Sequence, residues 1–193
     1  MLEQSERSRL LGLARDSIAR GLSSPAPEPL PRGEWSSRLL VPTAAFVTLT
    51  LSGELRGCRG TTEPLRSLAE EVWRSAWLTA FADPRFPPIA AEEAASLRIA
   101  ISVLTALEPI DCANQAELIE SLEPGVDGLV LRCGAARATF LPAVWKSLPE
   151  PREFVRQLRR KAGLYGSHWP HEMTAFRYRA ETFDSGEGAA LAA

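Results

Sequence analysis

Ala44-Ala45-Phe46-Val47-Thr48-Leu49-Thr50-Leu51-Ser52-Gly53-Glu54-Leu55-Arg56-Gly57-Cys58-Arg59-Gly60-Thr61 is the stretch whose reading decides the fold. Its first half is β-branched and aromatic, which marks a strand over residues 43–51. Ser52-Gly53 supplies a tight turn into Glu54 and Leu55. The spacing therefore predicts a β-hairpin, with the cysteine segment leaving its second strand.

Downstream, Pro64 suits the first turn of a helix. Leu65, Leu68, Ala69, Val72, Ala76 and Ala80 keep helical spacing, predicting a helix to about Phe81 with one face on the sheet. Asp83-Pro84-Arg85-Phe86-Pro87-Pro88 is irregular, because three prolines cannot continue a helix. Leu97, Ile99, Ile101 and Val103 alternate as a half-buried strand does. Asn114 with Glu117 forms a capping-box pattern before Leu118, Ile119 and Leu122, and Pro124-Gly125 closes that helix. Two strands, 129–131 and 137–140, join around Gly134. A helix over 150–162 carries Phe154, Val155 and Leu158 and ends at Gly163, and Phe176, Tyr178 and Ala180 share the face of a last strand.

Upstream, Leu10, Leu11, Ala14 and Ile18 define an amphipathic helix over 3–20, with Gly21 as its cap. Pro25, Pro27, Pro29 and Pro31 then make an extended connector that either lies against the body or swings free. The tail from Ser185 is small, polar and then alanine-rich, and is expected to fray. Helices and strands mix without a regular βαβ alternation, so the expected class is α+β with a mostly antiparallel sheet.

At 193 residues and 45% hydrophobic, the chain is long enough for one domain with a sizeable core. Its net charge of -2 gives no bulk attraction to nucleic acid. No window of 18 uncharged apolar residues calls for a membrane helix. The opening Met1-Leu2-Glu3-Gln4-Ser5-Glu6-Arg7 lacks the apolar run of a signal peptide, so a cytoplasmic protein is expected. Cys58, Cys112 and Cys133 are too few and too scattered for a disulfide framework, a zinc ribbon or an iron–sulfur site.

Cys58 is the residue with the most chemistry to offer. Cations beside a cysteine favour its thiolate, and Arg56 and Arg59 stand two residues before it and one after. In a regular strand Arg56 shares the face of Cys58, while Gly57 and Arg59 point away. Three readings stand side by side: Cys58 as a nucleophile, Cys58 as part of a binding cleft, and Cys58 as a small packed residue under a glycine-shaped turn. Gly57 and Gly60 allow close approach of backbone to a ligand. Thr61, Thr62 and Glu63 lead into the next helix, where their amides either meet an anion or are capped by their own side chains. Arg85 either grips a carboxylate or phosphate or pairs with Asp83, itself a cap for backbone donors. His168 and His171 are the only histidines, and Pro170 between them spoils a helical two-histidine metal face. No metal or cofactor is called for. Cys112 and Cys133 are read as packing residues, and Trp73 and Trp77, one turn apart, as buried.

Four blocks carry a resemblance to a known family. They are Phe46-Val47-Thr48-Leu49 running into Gly53-Glu54-Leu55-Arg56-Gly57-Cys58-Arg59-Gly60-Thr61; Asp83-Pro84-Arg85-Phe86-Pro87-Pro88; Val126-Asp127-Gly128-Leu129 with Ala138-Thr139-Phe140-Leu141-Pro142; and Lys161-Ala162-Gly163-Leu164. In these the chain resembles the AMMECR-domain family, whose prokaryotic members include AmmeMemoRadiSam system protein A. It departs from the family pattern at Arg59, usually isoleucine, and at Ser75, commonly asparagine.

The resemblance implies an α+β fold of two parts: a mostly antiparallel sheet flanked by helices, with a smaller subdomain. One domain over 1–184, made of two closely packed subdomains, then precedes a flexible tail over 185–193. The resemblance also implies association with a Memo-type protein and a radical-SAM enzyme. The site it favours is a cleft formed by Arg56, Gly57, Cys58, Arg59, Gly60, Thr61, Asp83 and Arg85. An enzyme acting through Cys58 in its own right, and a scaffold without chemistry, are the alternatives.

Overall fold

The Ser52-Gly53 turn folds as expected. Both residues have positive φ, 52° and 86°, the conformation that turns a chain sharply between antiparallel strands. It joins β1 (Ala45–Leu51) to β2 (Glu54–Gly60). The structure, a computed structural model, describes residues 1–166 and 169–186. It divides into two compact units, residues 1–104 with the segment from Glu181, and residues 105–180.

In the first unit, α1 (Gln4–Gly21) and α2 (Leu68–Phe81) accompany β1 and β2. A short α3 (Ala91–Ala94) and β3 (Arg98–Leu104) follow. β1 pairs antiparallel with both β2 and β3. With β8 (Ala180–Asp184) the sheet order is β2-β1-β3-β8, so β2 is an edge strand. Val47, Leu49, Ile99 and Ile101 are among the buried sheet positions, and Leu10, Ala14, Ile18, Leu68, Val72, Trp73 and Ala76 belong to the same core. Each large side chain so buried stabilises by roughly 1.5–3 kcal/mol.

The second unit begins with β4 (Glu108–Ile110) and α4 (Gln115–Ser121). Then come β5 (Gly128–Cys133), β6 (Ala136–Phe140), α5 (Pro151–Lys161) and β7 (Thr174–Tyr178). Its sheet order is β4-β7-β5-β6. Asn114 caps α4 by accepting from the amides of Ala116 and Glu117. Gly163, at φ 77°, ends α5: its N–H reaches the Arg160 carbonyl and the Leu164 N–H reaches that of Arg159, a Schellman closure. Phe154, Val155 and Leu158 of α5 bury against Leu129, Leu131 and Trp145. Trp145 stacks on Phe154 and donates to the Asp127 carbonyl.

The α+β class holds, and the sheets are antiparallel. Several boundaries move. There are two four-stranded sheets rather than one. The run Phe176 to Ala180, expected as one strand, splits into β7 and β8, which join different sheets. α2 starts at Leu68, not at Pro64, because Ser67 accepts from the Glu70 amide and sets the N-terminus. The proline connector lies against the first unit: Leu30 and Trp35 pack on its core, and the Trp73 indole donates to the Glu28 carbonyl at 2.7 Å. Trp73 is buried as expected and Trp77 is half-buried. Most of the tail expected to fray, from Glu187 on, lies outside the described residues.

Gly21 is the last residue of α1 rather than its cap. A Cβ there would collide with the rings of Phe81 and Trp77, so the missing side chain is what lets α2 come close. Gly12, in the middle of the same helix, would have nothing within 4 Å of an added Cβ. The two glycines therefore predict opposite signs. Gly21→Ala should lower stability by about 1–3 kcal/mol through overpacking. Gly12→Ala should raise it by about 0.5–1 kcal/mol through helix propensity. Urea unfolding of both variants checks this.

Candidate functional site

An edge strand leaves every second residue with its N–H and C=O pointing away from the sheet. In β2 Cys58 is such a residue, and both of its groups are bound by side chains. The Cys58 N–H donates to Asp83 Oδ2 at 2.9 Å, and Arg85 Nη2 donates to the Cys58 carbonyl at 3.2 Å. Asp83 and Arg85 thus stand where a neighbouring strand would. They also bind each other: Arg85 Nε lies 2.9 Å from Oδ1 and Nη2 2.6 Å from Oδ2, a two-pronged pair, and the Arg85 amide adds a bond to Oδ1.

Asp83 is buried at 4% exposure, while the Arg85 side chain is half-exposed. Burial pushes the Asp83 carboxyl up. The Arg85 fork, the Cys58 and Arg85 amides and the Arg85 charge outweigh it and hold the group at about 2. Arg85 is raised in turn, first by its bonds to Asp83 and, more weakly, by the charges of Asp83 and Cys58.

A second clamp lies two residues back. The β1–β2 register slips between Leu49 and Thr50, leaving Arg56 as the extra residue of a bulge. Its side chain reaches Glu93 at 2.8 and 2.9 Å and the carbonyls of Pro87 and Pro88 at 2.8 and 3.3 Å. The bonds to Glu93 raise Arg56, and those from Arg56 lower Glu93. Glu93 also accepts from the Ala90 amide, starting α3. The irregular loop 82–90 is therefore tied to β2 at both ends.

The cysteine itself sits within β2, not at its exit. It pairs with Thr48, whose hydroxyl lies 3.3 Å from Sγ. The residue is half-buried and forms no disulfide. The cation held against Cys58 is Arg85, from the loop, and the charge of Arg56 goes to Glu93. Arg59 is exposed and has no ion pair among the described residues.

The glycines serve the scaffold. A Cβ on Gly57 would stand 2.7 Å from the Thr79 carbonyl of α2, and one on Gly60 would collide with the Ala45 carbonyl and stand 2.6 Å from the Phe46 Cα. Gly57 thus admits α2 and Gly60 admits β1. Thr61 extends the ladder by donating its amide to the Ala45 carbonyl. Because α2 begins at Leu68, Thr61, Thr62 and Glu63 do not lie at its N-terminus, and the Glu63 amide donates to the Thr61 hydroxyl at 3.0 Å.

Thr79, Thr48 and Glu93 escaped the sequence reading. Thr79 continues a row of buried polar residues at four-residue steps, Glu71, Ser75, Thr79 and Asp83. That spacing on an otherwise apolar helix is a legible signal of a polar stripe. The Ser75 hydroxyl bonds Glu71 at 2.7 Å, and Thr79 accepts from the Arg59 amide and donates to the Ser75 carbonyl. Thr48 follows from the hairpin register. Glu93 lies 37 residues from Arg56, and nothing local marks it. His171 is exposed, His168 lies outside the described residues, and no group of three metal-binding side chains occurs among the described residues.

An antiparallel α+β scaffold defines the class, and comparison with known proteins agrees. The AMMECR1 family profile matches residues 11–183, and the chain belongs to the AMMECR1 family. A protein of Thermofilum pendens is 39% identical over 136 residues, covering 67% of this chain and 62% of its own length. Protein MK0488 of Methanopyrus kandleri is 32% identical over 195 residues, covering 96% and 91%. The crystal structure of uncharacterized protein PH0010 from Pyrococcus horikoshii superposes with a TM-score of 0.89 at 28% identity, covering 98% of this chain and 96% of that one. No helix among the described residues is long and apolar enough to cross a membrane.

The position of Asp83 fixes a pH dependence. Its folded pKa of about 2 lies below the ordinary 3.8, so its contribution is full above about pH 4 and is lost as pH falls towards 2. The shift corresponds to about 2 kcal/mol. Asp83→Asn should lose about that much at pH 7 and show a flatter loss of stability between pH 4 and 2 than the wild type. Urea midpoints across that range read the difference.

Proposed function

We propose that the chain is the substrate- or partner-binding component of a cytoplasmic, radical-SAM-linked modification system, working with a Memo-type protein and using a cleft at the Leu55–Cys58 motif. The observation that carries this reading is the double clamp on β2. Asp83 and Arg85 bind the backbone of Cys58, while Arg56 holds Glu93 and two prolyl carbonyls. A strand edge could be protected far more simply, by one lysine or a proline. Here a whole loop is fixed against one thiol-bearing residue. That is how a binding surface is made rigid before its ligand arrives. The partners are those that the family resemblance implies.

A second reading has its own support. The Thr48 hydroxyl at 3.3 Å from Sγ and the Arg85 cation both favour a thiolate, as a nucleophile requires.

Affinity capture of the tagged full-length protein from its native cell should enrich a radical-SAM enzyme or a Memo-type protein, and Arg56→Ala should lose that capture. Repeated absence of both would sink the binding-component reading. Alkylation kinetics of Cys58 across pH separate the two. A thiol pKa well below about 8.5 supports a nucleophile. Alkylation only on unfolding removes that reading.

A further inference from the structure

We infer that the site at Cys58 takes a ligand through an anionic group, a carboxylate or phosphate, and that Arg85 is its anchor. This deepens the binding reading above and rests on it for the location.

Three observations lead there. First, the Arg85 guanidinium is held in place. Nε and Nη2 are bonded to Asp83, and Nη2 also reaches the Cys58 carbonyl. Asp83 is buried and anchored in turn by the Cys58 amide. An arginine so fixed has already lost the rotamer freedom that a surface arginine gives up on binding.

Second, the guanidinium is only partly used. None of the bonds that Arg85 makes among the described residues involves Nη1, whose two N–H donors remain. The side chain is 51% exposed, with the Phe86 ring 5.4 Å from the guanidinium carbon on one face. Two N–H donors on one nitrogen of a fixed guanidinium can each make a charge-assisted bond to an oxygen of a carboxylate or phosphate.

Third, Arg59 adds a cation outside the ion pairs of the site. Arg56 is matched by Glu93 and Arg85 by Asp83, whereas Arg59 has no ion pair among the described residues. Glu54, at the start of the same strand, is exposed and likewise has no ion pair among the described residues. The Asp83–Arg85 pair is neutral as a unit, so its attraction for an anion comes from directed donors. The charge of Arg59, next to Cys58 and five residues from Glu54, adds a local field of the right sign.

The test is an NMR titration of the folded full chain with sodium phosphate and, separately, sodium acetate, against sodium chloride at equal ionic strength. The reporters are the Cys58 amide, bonded to Asp83, and the Arg85 Nε–H. A saturable shift of both with phosphate alone identifies a phosphate-type ligand, and one with acetate identifies a carboxylate. Arg85→Lys keeps a cation for Asp83 but lacks the planar fork, and should weaken the response at least tenfold while the Cys58 amide stays dispersed as in a folded chain. Shifts no different from those in chloride, or a saturable shift unchanged by Arg85→Lys, would overturn the proposal. Partner capture is read separately: its failure with a positive titration removes the radical-SAM reading and leaves the anion site.

Discussion

The carboxylate of Asp83 is the constraint on which the candidate site depends. It is buried, it accepts the outward N–H of Cys58, and it locks Arg85, which covers the outward carbonyl of the same residue. A bare strand edge invites pairing with another chain, and an unsatisfied buried carboxylate is costly. Each problem solves the other here. The edge lends the carboxylate a donor, and the loop lends the edge the groups a neighbouring strand would have supplied. Everything else at the site follows from holding that loop still: the Arg56 bulge, the Glu93 partner and the short α3.

That arrangement also explains the composition of the motif. Gly57 lacks a side chain because α2 delivers Thr79 there, and Thr79 is one step in the polar row that ends at Asp83. Gly60 lacks one because β1 passes close by. The glycines bring β1, β2 and α2 together, and the polar row carries α2 into the loop. Cys58 is left with its backbone engaged by the loop and its sulfur beside Thr48. The thiol is therefore presented by a rigid strand rather than by a mobile turn.

Much of this is legible in the sequence, for physical reasons. The β-branched and aromatic run from Phe46 to Leu51 and the Ser52-Gly53 turn fix the hairpin, and the Asn114 and Gly163 signals start or end helices where expected. The pairing of Asp83 with Arg85 follows from residue types in a proline-bound loop, whereas their meeting with the cysteine strand is implied only by the family resemblance. Other features carry no local mark. Alternation continues unbroken from Phe176 through Tyr178 to Ala180, so nothing in the pattern shows the chain changing sheets at Arg179. A bulge alters register without altering composition, so Arg56 reads as a neighbour of the thiol instead of a clamp on the loop. The start of α2 reads too early, although Ser67 and Glu70 carry the capping signal, because the apolar spacing runs through Leu65.

Hydrogen exchange of the Cys58 amide in the native state tests the central claim most directly. That N–H points away from β1, and an open edge would leave it to water. If Asp83 takes the place of a neighbouring strand, the Cys58 amide exchanges as slowly as amides within the β1–β2 ladder, and exchanges much faster in Asp83→Ala. Fast exchange in the wild type, at the rate of an open strand edge, would contradict the account.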